Sequence, residues 1–309
     1  MRSSAAPNAV GGPLPPAGAP LRVAFVGSEE WVEGCAPAAS VHGLITARLG
    51  SAGAADPGRI GAALAAFRPH ATVIFDPPSW PLEGRRESLG VTLGVLVSGA
   101  ADEDALRDIG HLDRLVCFDP ALTGARIGAH EVWRAIPPPV SDALFGKVRP
   151  LHHAPRAMAI GRSSAHREAM LMPAKHHHDL LQIIHGVSGQ SLRELLDEHD
   201  VGVYFSPEPG GGFGQQAGVH LAAGHLLLAE QLTPEHGLER NIDYLQIDSP
   251  EELVWVLDRL GRFPEMHHRI RIRGRLKAEQ YRASRLFGRL VHDLLFDLAA
   301  FGSRAGAAS

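Results

Sequence analysis

Short apolar runs alternate with amphipathic stretches along most of this chain. Residues 21–26 (LRVAFV) form a β-branched apolar run closed by Gly27, the pattern of a buried parallel strand and a tight turn. Residues 56–67 (DPGRIGAALAAF) open with an acidic cap and a proline, as a helix does, and ATVIFD at 71–76 returns to strand. The runs VTLGVLV (91–97) and RLVCFD (114–119) continue the series, so the first half predicts a parallel sheet with crossover helices.

The run Ile136-Pro137-Pro138-Pro139-Val140-Ser141-Asp142 suits neither helix nor central strand, because three prolines remove three donors and fix φ. A domain boundary is expected there. A second α/β series follows: RAMAIG (156–161), LLQIIHG (180–186), VGVYFS (201–206) and LLLAE (226–230) as strands. Residues 163–172, 189–199, 219–223 and 250–260 read as helices between and after them, the last capped by Ser249, and 270–300 as one long, Arg-rich amphipathic helical region. The expected organisation is a Pro/Ala/Gly-rich lead-in at 1–20, domains at 21–145 and 146–300, and a tail at 301–309.

Composition narrows the function classes. With 309 residues, two domains are the natural expectation. Lys and Arg number 30 against 34 Asp and Glu, a formal charge of -4, which disfavours nucleic acid as a partner. No apolar run approaches the roughly 20 residues that a membrane-spanning helix requires. The lead-in has no continuous apolar core of the kind a signal peptide carries, and two cysteines make no disulfide framework, so a cytoplasmic protein is expected. Eighteen histidines include the runs at 152–153, 176–178 and 267–268, but HExxH and CxxC spacing is missing and no metal site is expected.

The ordered motifs GRSSAHRE, HGVSG, LLDEHDVGVYFSPEP, GGGFG, HLAAGHLLLAE, EHGLERNIDYLQIDSPEEL and RIRGRLKAEQYRAS span about 130 residues from Gly161. In that order and spacing the chain resembles GT-B glycosyltransferases of the group-1 family, and within it the spore-maturation (CgeB-like) branch. The resemblance implies two Rossmann-like domains facing across a cleft, with a C-terminal helix crossing back to the first. It implies a sugar moved from a nucleotide-diphosphate donor of UDP or GDP type to an unknown acceptor, without metal or tightly bound cofactor.

On that resemblance Gly161, Arg162 and Arg167 would hold the donor phosphates, guanidinium forks beside a helix N-terminus being suited to diphosphate. Residues His185, Gly186 and Val187 would face the nucleotide base. Ser206, Glu208, Gly212, Phe213, Gly214 and Gln215 would form the loop around sugar and phosphate. A general base is expected after a strand of the first domain, from Asp76, Glu29 or Glu30. The family's paired glutamates fall on Gly211 and Val219, and neither is acidic. Glu208, Gln215, Gln216 and His220 are the nearby substitutes for the lost ribose contact. That loss leaves a second expectation open, a degenerate relative that binds a nucleotide sugar or a protein partner without chemistry. A nicotinamide oxidoreductase is disfavoured, since the first strand turn reads Gly27-Ser28-Glu29-Glu30 and not a glycine fingerprint.

Overall fold

The computed structural model describes residues 19–37, 43–51, 56–77, 80, 86–97, 112–127, 130–152, 154–185, 187–210 and 212–301. The expected lead-in up to residue 18, the tail from 302, and the positions Gly186 and Gly211 lie outside them. The chain forms two compact units, one of Met1–Pro137 with Ala283–Ser309 and one of Pro138–Arg282. The division falls inside the proline run, where a boundary is expected, and the last helix groups with the first unit, as the resemblance implies, although the expected limits of 21–145 and 146–300 count that helix with the second domain.

Among the described residues the first unit carries seven strands: β1 (Leu21–Ser28), β2 (Leu44–Ser51), β3 (Ala71–Phe75), β4 (Val91–Leu96), β5 (Arg114–Cys117), β6 (Arg126–Ile127) and β7 (His130–Ala135). Their order is β2-β1-β3-β4-β5-β7-β6, parallel except for the β6–β7 pair. Helices α1 (Glu29–Cys35), α2 (Pro57–Phe67) and the short α3 (Arg86–Leu89) lie between strands. Successive side chains of a strand point to opposite faces. Val23 and Phe25 accordingly enter one core with Val32 and Cys35, while Ala24 and Val26 enter another with Ile60 and Leu64. Burial on both faces is why the sequence shows continuous apolar runs here.

Helix α9 (Ala283–Phe301) completes the first core. It buries Phe287, Leu290, Val291 and Leu294 against Phe25 and Phe75, with the Phe287 ring 5.0 Å from Phe25 and 6.0 Å from Phe75, both edge-on. Such edge-to-face pairs add about 1 kcal/mol to area burial. Buried Arg114 of β5 reaches Asp297 of α9 at 2.7 Å through Nε. The terminal Arg-rich stretch is therefore not one helix. It divides into α8 (His268–Lys277), a 3-10 turn at Ala278–Tyr281, and α9. Arg282 breaks it by adopting extended backbone and bridging Val140, whose N–H donates to Tyr281 O at 2.8 Å.

The second unit is a five-stranded parallel sheet in the order β12-β11-β10-β8-β9. Its strands are β8 (Ala157–Ile160), β9 (Leu180–Ile183), β10 (Val201–Tyr204), β11 (Leu226–Ala229) and β12 (Leu245–Gln246). Helices α4 (Ala165–His177) and α7 (Pro250–Arg262) cover one face and α5 (Gly189–Glu198) and α6 (Gln215–Ala223) the other. Ser249 caps α7 by accepting from Glu252 N, while the Glu252 carboxylate accepts from Asp248 N at 2.7 Å. Cys35 and Cys117 are buried thiols, and the Cys117 Sγ donates to Asp119 O at 3.0 Å. No helix of the described residues is long and apolar enough to cross a membrane.

Candidate functional site

In an open α/β sheet, ligands bind outside the carboxyl ends of the strands. Three such ends meet in the second unit. After β8, Gly161 takes φ +135°, a conformation that side chains rarely adopt, and a Cβ there would collide with the Arg167 guanidinium. After β10 run Phe205, Ser206 and the loop to Gly214, and Glu230 follows β11 directly.

Arg167 ties two of these ends together. Its Nε donates to Phe205 O and its Nη1 to Arg162 O, each at 2.7 Å. The side chain is buried, and desolvation lowers its pKa while Tyr204 and Glu230 oppose that shift. Ser164, the cap of α4, accepts from Arg167 N and donates to Pro207 O at 2.6 Å. Arg162 is exposed. The two arginines expected to work as a pair thus stand differently: Arg167 is bonded to backbone carbonyls, and Arg162 alone presents its side chain to solvent.

The third end brings residues that motif reading overlooked. Glu230 accepts from Ser206 N at 2.5 Å through one oxygen, and its other oxygen lies 3.1 Å from His166 Nε2. Both side chains are largely buried. The available signal was position: an acid immediately after an apolar strand stands at the carboxyl end of the sheet.

Ser206 Oγ donates to Glu208 O at 2.8 Å, which shapes the loop, and the Glu208 side chain is exposed. Gly212 O accepts from Tyr204 Oη at 2.8 Å; burial pushes the Tyr204 phenol up to about 12, so it stays a donor. Gly214 caps α6 with no side-chain hydrogen bond, and a Cβ there would collide with Tyr204 Oη. Gln215 Nε2 reaches Pro139 O at 3.4 Å. Phe213 points into the core, its ring 5.2 Å from both Tyr281 and His236, so its side chain serves packing. His185 is exposed and Val187 half-buried after edge strand β9, the sheet neighbour of β8.

His220 does not join this site. It is fully buried, and its Nδ1 lies 3.1 Å from His225 Nδ1, so it is no substitute for a ribose contact. Val219 is 5% exposed and belongs to the core that α6 packs on, so the position that is acidic in the resembled family is here a packing position.

In the first unit, Glu29 and Glu30 are exposed in the first turn of α1, which Ser28 caps by accepting from Trp31 N. Asp76 follows β3, the neighbour of β1, at φ +52°, and its N–H donates to Val95 O at 2.9 Å. The three carboxylates therefore share one end of one sheet. Among the described residues no group of three or more His, Cys, Asp or Glu is placed to hold a metal ion.

This pair of parallel-sheet units, with the last helix returned to the first, is the GT-B fold. Sucrose-phosphate synthase from Thermosynechococcus elongatus superposes with a TM-score of 0.54 at 11% identity, over 91% of this chain and 99% of that one. Anabaena HepE, solved in complex with UDP-glucose, gives 0.54 at 8% identity over 89% and 99%. A glycosyltransferase from Rickettsia africae gives 0.50 at 9% over 90% and 99%. No family model matches the chain, and no curated protein matches its sequence.

Proposed function

We propose that this chain is a cytoplasmic glycosyltransferase that takes a nucleotide-diphosphate sugar, of UDP or GDP type, and passes the sugar to an acceptor without a metal or a tightly bound cofactor. The observation that carries this reading is the convergence, at the carboxyl ends of β8, β10 and β11, of exposed Arg162, the glycine-capped start of α6 and the braced Glu230–His166 pair. The likeness in fold to HepE, whose structure holds UDP-glucose, supports the same reading. Membership of the CgeB-like branch rests on the motifs alone.

In this reading Arg162 and the α6 amides neutralise charge that grows on the departing diphosphate, which fixed donors do without reorganisation. Arg167 holds the turn that aims Arg162. The edge around His185, Gly186 and Val187 takes the nucleotide base, and the loop from Ser206 through Glu208 to Gly212 the sugar. Asp76, with Glu29 or Glu30 as the alternative, takes the proton from the acceptor hydroxyl.

The burial of Val219 favours a second reading, binding of a nucleotide sugar without transfer, because no acidic side chain stands where that family holds ribose. Two measurements separate them. Thermal unfolding with UDP, GDP and their sugars should show stabilisation of about 2.7 kcal/mol at a hundred times Kd. Donor hydrolysis over the same panel should follow in wild type, drop about a hundredfold or more in Asp76→Asn if that carboxylate is the base, and drop with weaker donor binding in Arg162→Ala. Stabilisation without turnover would leave the binding reading. No stabilisation by any nucleotide would sink both.

A further inference from the structure

Five of the twelve large apolar side chains that stay exposed among the described residues fall in one stretch of 22: Trp255, Phe263, Met266, Ile272 and Leu276. Phe263 is 58% exposed and Leu276 65%, and it is their clustering with the others that calls for a reason. Their placement is fixed by the helices that carry them. Helix α8 is pinned through Arg271, whose buried guanidinium donates to Gly224 O at 2.6 Å and to Arg149 O at 2.5 Å, and through Gly274, which is buried with it. Side chains three and four apart share a helix face. The opposite face therefore presents Arg269, Ile272, Arg273 and Leu276 to solvent.

At the end of α7 the same combination of apolar and cationic side chains recurs. The Arg259 guanidinium stacks 4.8 Å over the Trp255 ring and its Nη2 lies 3.5 Å from Met266 Sδ, so Trp255, Arg259 and Met266 form one continuous patch. Arg262 and Arg269 are exposed and make no ion pair among the described residues. The two acids of the stretch face histidines, Asp258 with His178 and Glu265 with His268, each at 3.6 Å. A basic, apolar surface thus stands on a molecule whose formal charge is -4.

We infer that the end of α7 together with the outer face of α8 docks on an anionic lipid surface. Apolar tips among long cationic side chains suit the boundary between headgroups and acyl chains. Trp prefers that depth, arginine stems lie along apolar surface, and guanidinium heads meet lipid phosphates. An RNA strand would use the cations but leave Ile272, Leu276 and Met266 without a role, since stacking on bases is done by aromatic rings. The unpaired Arg262 and Arg269 complement a surface of negative charge.

The test is sedimentation of the full chain with vesicles of pure phosphatidylglycerol and of pure phosphatidylcholine. Retention is expected on the first and not on the second, with a blue shift of tryptophan emission that Trp255→Phe removes. Phe263→Ser with Leu276→Ser, and separately Arg262→Glu with Arg269→Glu, should each weaken retention about tenfold or more with the melting temperature unchanged. If the serine pair disturbs folding, the charge-reversed pair carries the test alone. No retention on phosphatidylglycerol at low salt overturns the inference, as does equal retention of the charge-reversed pair. Variants that alter only RNA binding, or only the oligomeric state, overturn it as well. Because none of these residues belongs to the donor site, nucleotide binding should be untouched, and its failure elsewhere would be a separate result.

Discussion

The two sheets present their carboxyl ends in different ways. In the second unit the polar groups there are bonded to one another: Arg167 to two carbonyls, Ser164 to Pro207 O, Tyr204 to Gly212 O, and Glu230 to Ser206 N and His166. In the first unit Glu29 and Glu30 stand open to solvent in the first turn of a helix. The difference separates two ways of building a site. A braced end holds a fixed shape before any ligand arrives, while an open end leaves its two glutamates in contact with water.

Breaking the brace should have the largest effect. Arg167→Ala leaves Phe205 O and Arg162 O without their donor in a buried setting, and is expected to lower stability by about 3 kcal/mol, read by denaturant titration. Loss of nucleotide binding should accompany it. An effect below about 1 kcal/mol would mean that the turn after β8 holds itself.

Acid should act next, and on the second unit first. Burial holds His220 at about 3 and His225 well below its ordinary value, so the folded chain refuses protons that the unfolded chain accepts from pH 6.5 downward. Stability is then complete above pH 6.5 and falls by about 1 kcal/mol per pH unit for each histidine that stays neutral. Arg282 and Arg275 hold Glu279 at about 2, below the ordinary 4.5, so its contribution is present above 4.5 and fades only as pH falls further. The decline between 6.5 and 4.5 therefore belongs to the histidines. Calorimetry on His220→Gln should show that decline flattened.

Ser164→Ala removes the cap of α4 and the bond to Pro207 O and should lower stability by about 1 kcal/mol, with a weaker effect on nucleotide binding than Arg167→Ala. At the open end, Glu29→Gln and Glu30→Gln should change stability by less than about 0.5 kcal/mol, because exposed carboxylates exchange one hydrated state for another. A loss comparable to that of Arg167→Ala would erase the contrast between the two ends.

The alternation of strands was legible where both faces of a strand are buried, as in LRVAFV, ATVIF and VGVY, because burial on both faces forces continuous apolar residues. Strands β2 and β7 were not. Thr46 and Arg48 interrupt β2, and Glu131 and Arg134 interrupt β7, so neither shows a run. The one helix expected at 270–300 failed at Arg282, whose extended backbone answers Val140 from 142 residues earlier, a pairing no local pattern announces. Glycines and Arg162 at the candidate site were visible because they sit in a strand-to-helix turn. The Glu230–His166 pair was not, since 64 residues separate its members and only the sheet brings them together.

One consequence lies in the order of synthesis. The first core is lined partly by Phe287, Leu290, Val291 and Leu294, which follow the whole of the second unit in the chain. On a ribosome the inserted unit can be finished while the outer one still waits for its closing helix, with Phe25 and Phe75 uncovered. The half that begins first is the half that is completed last.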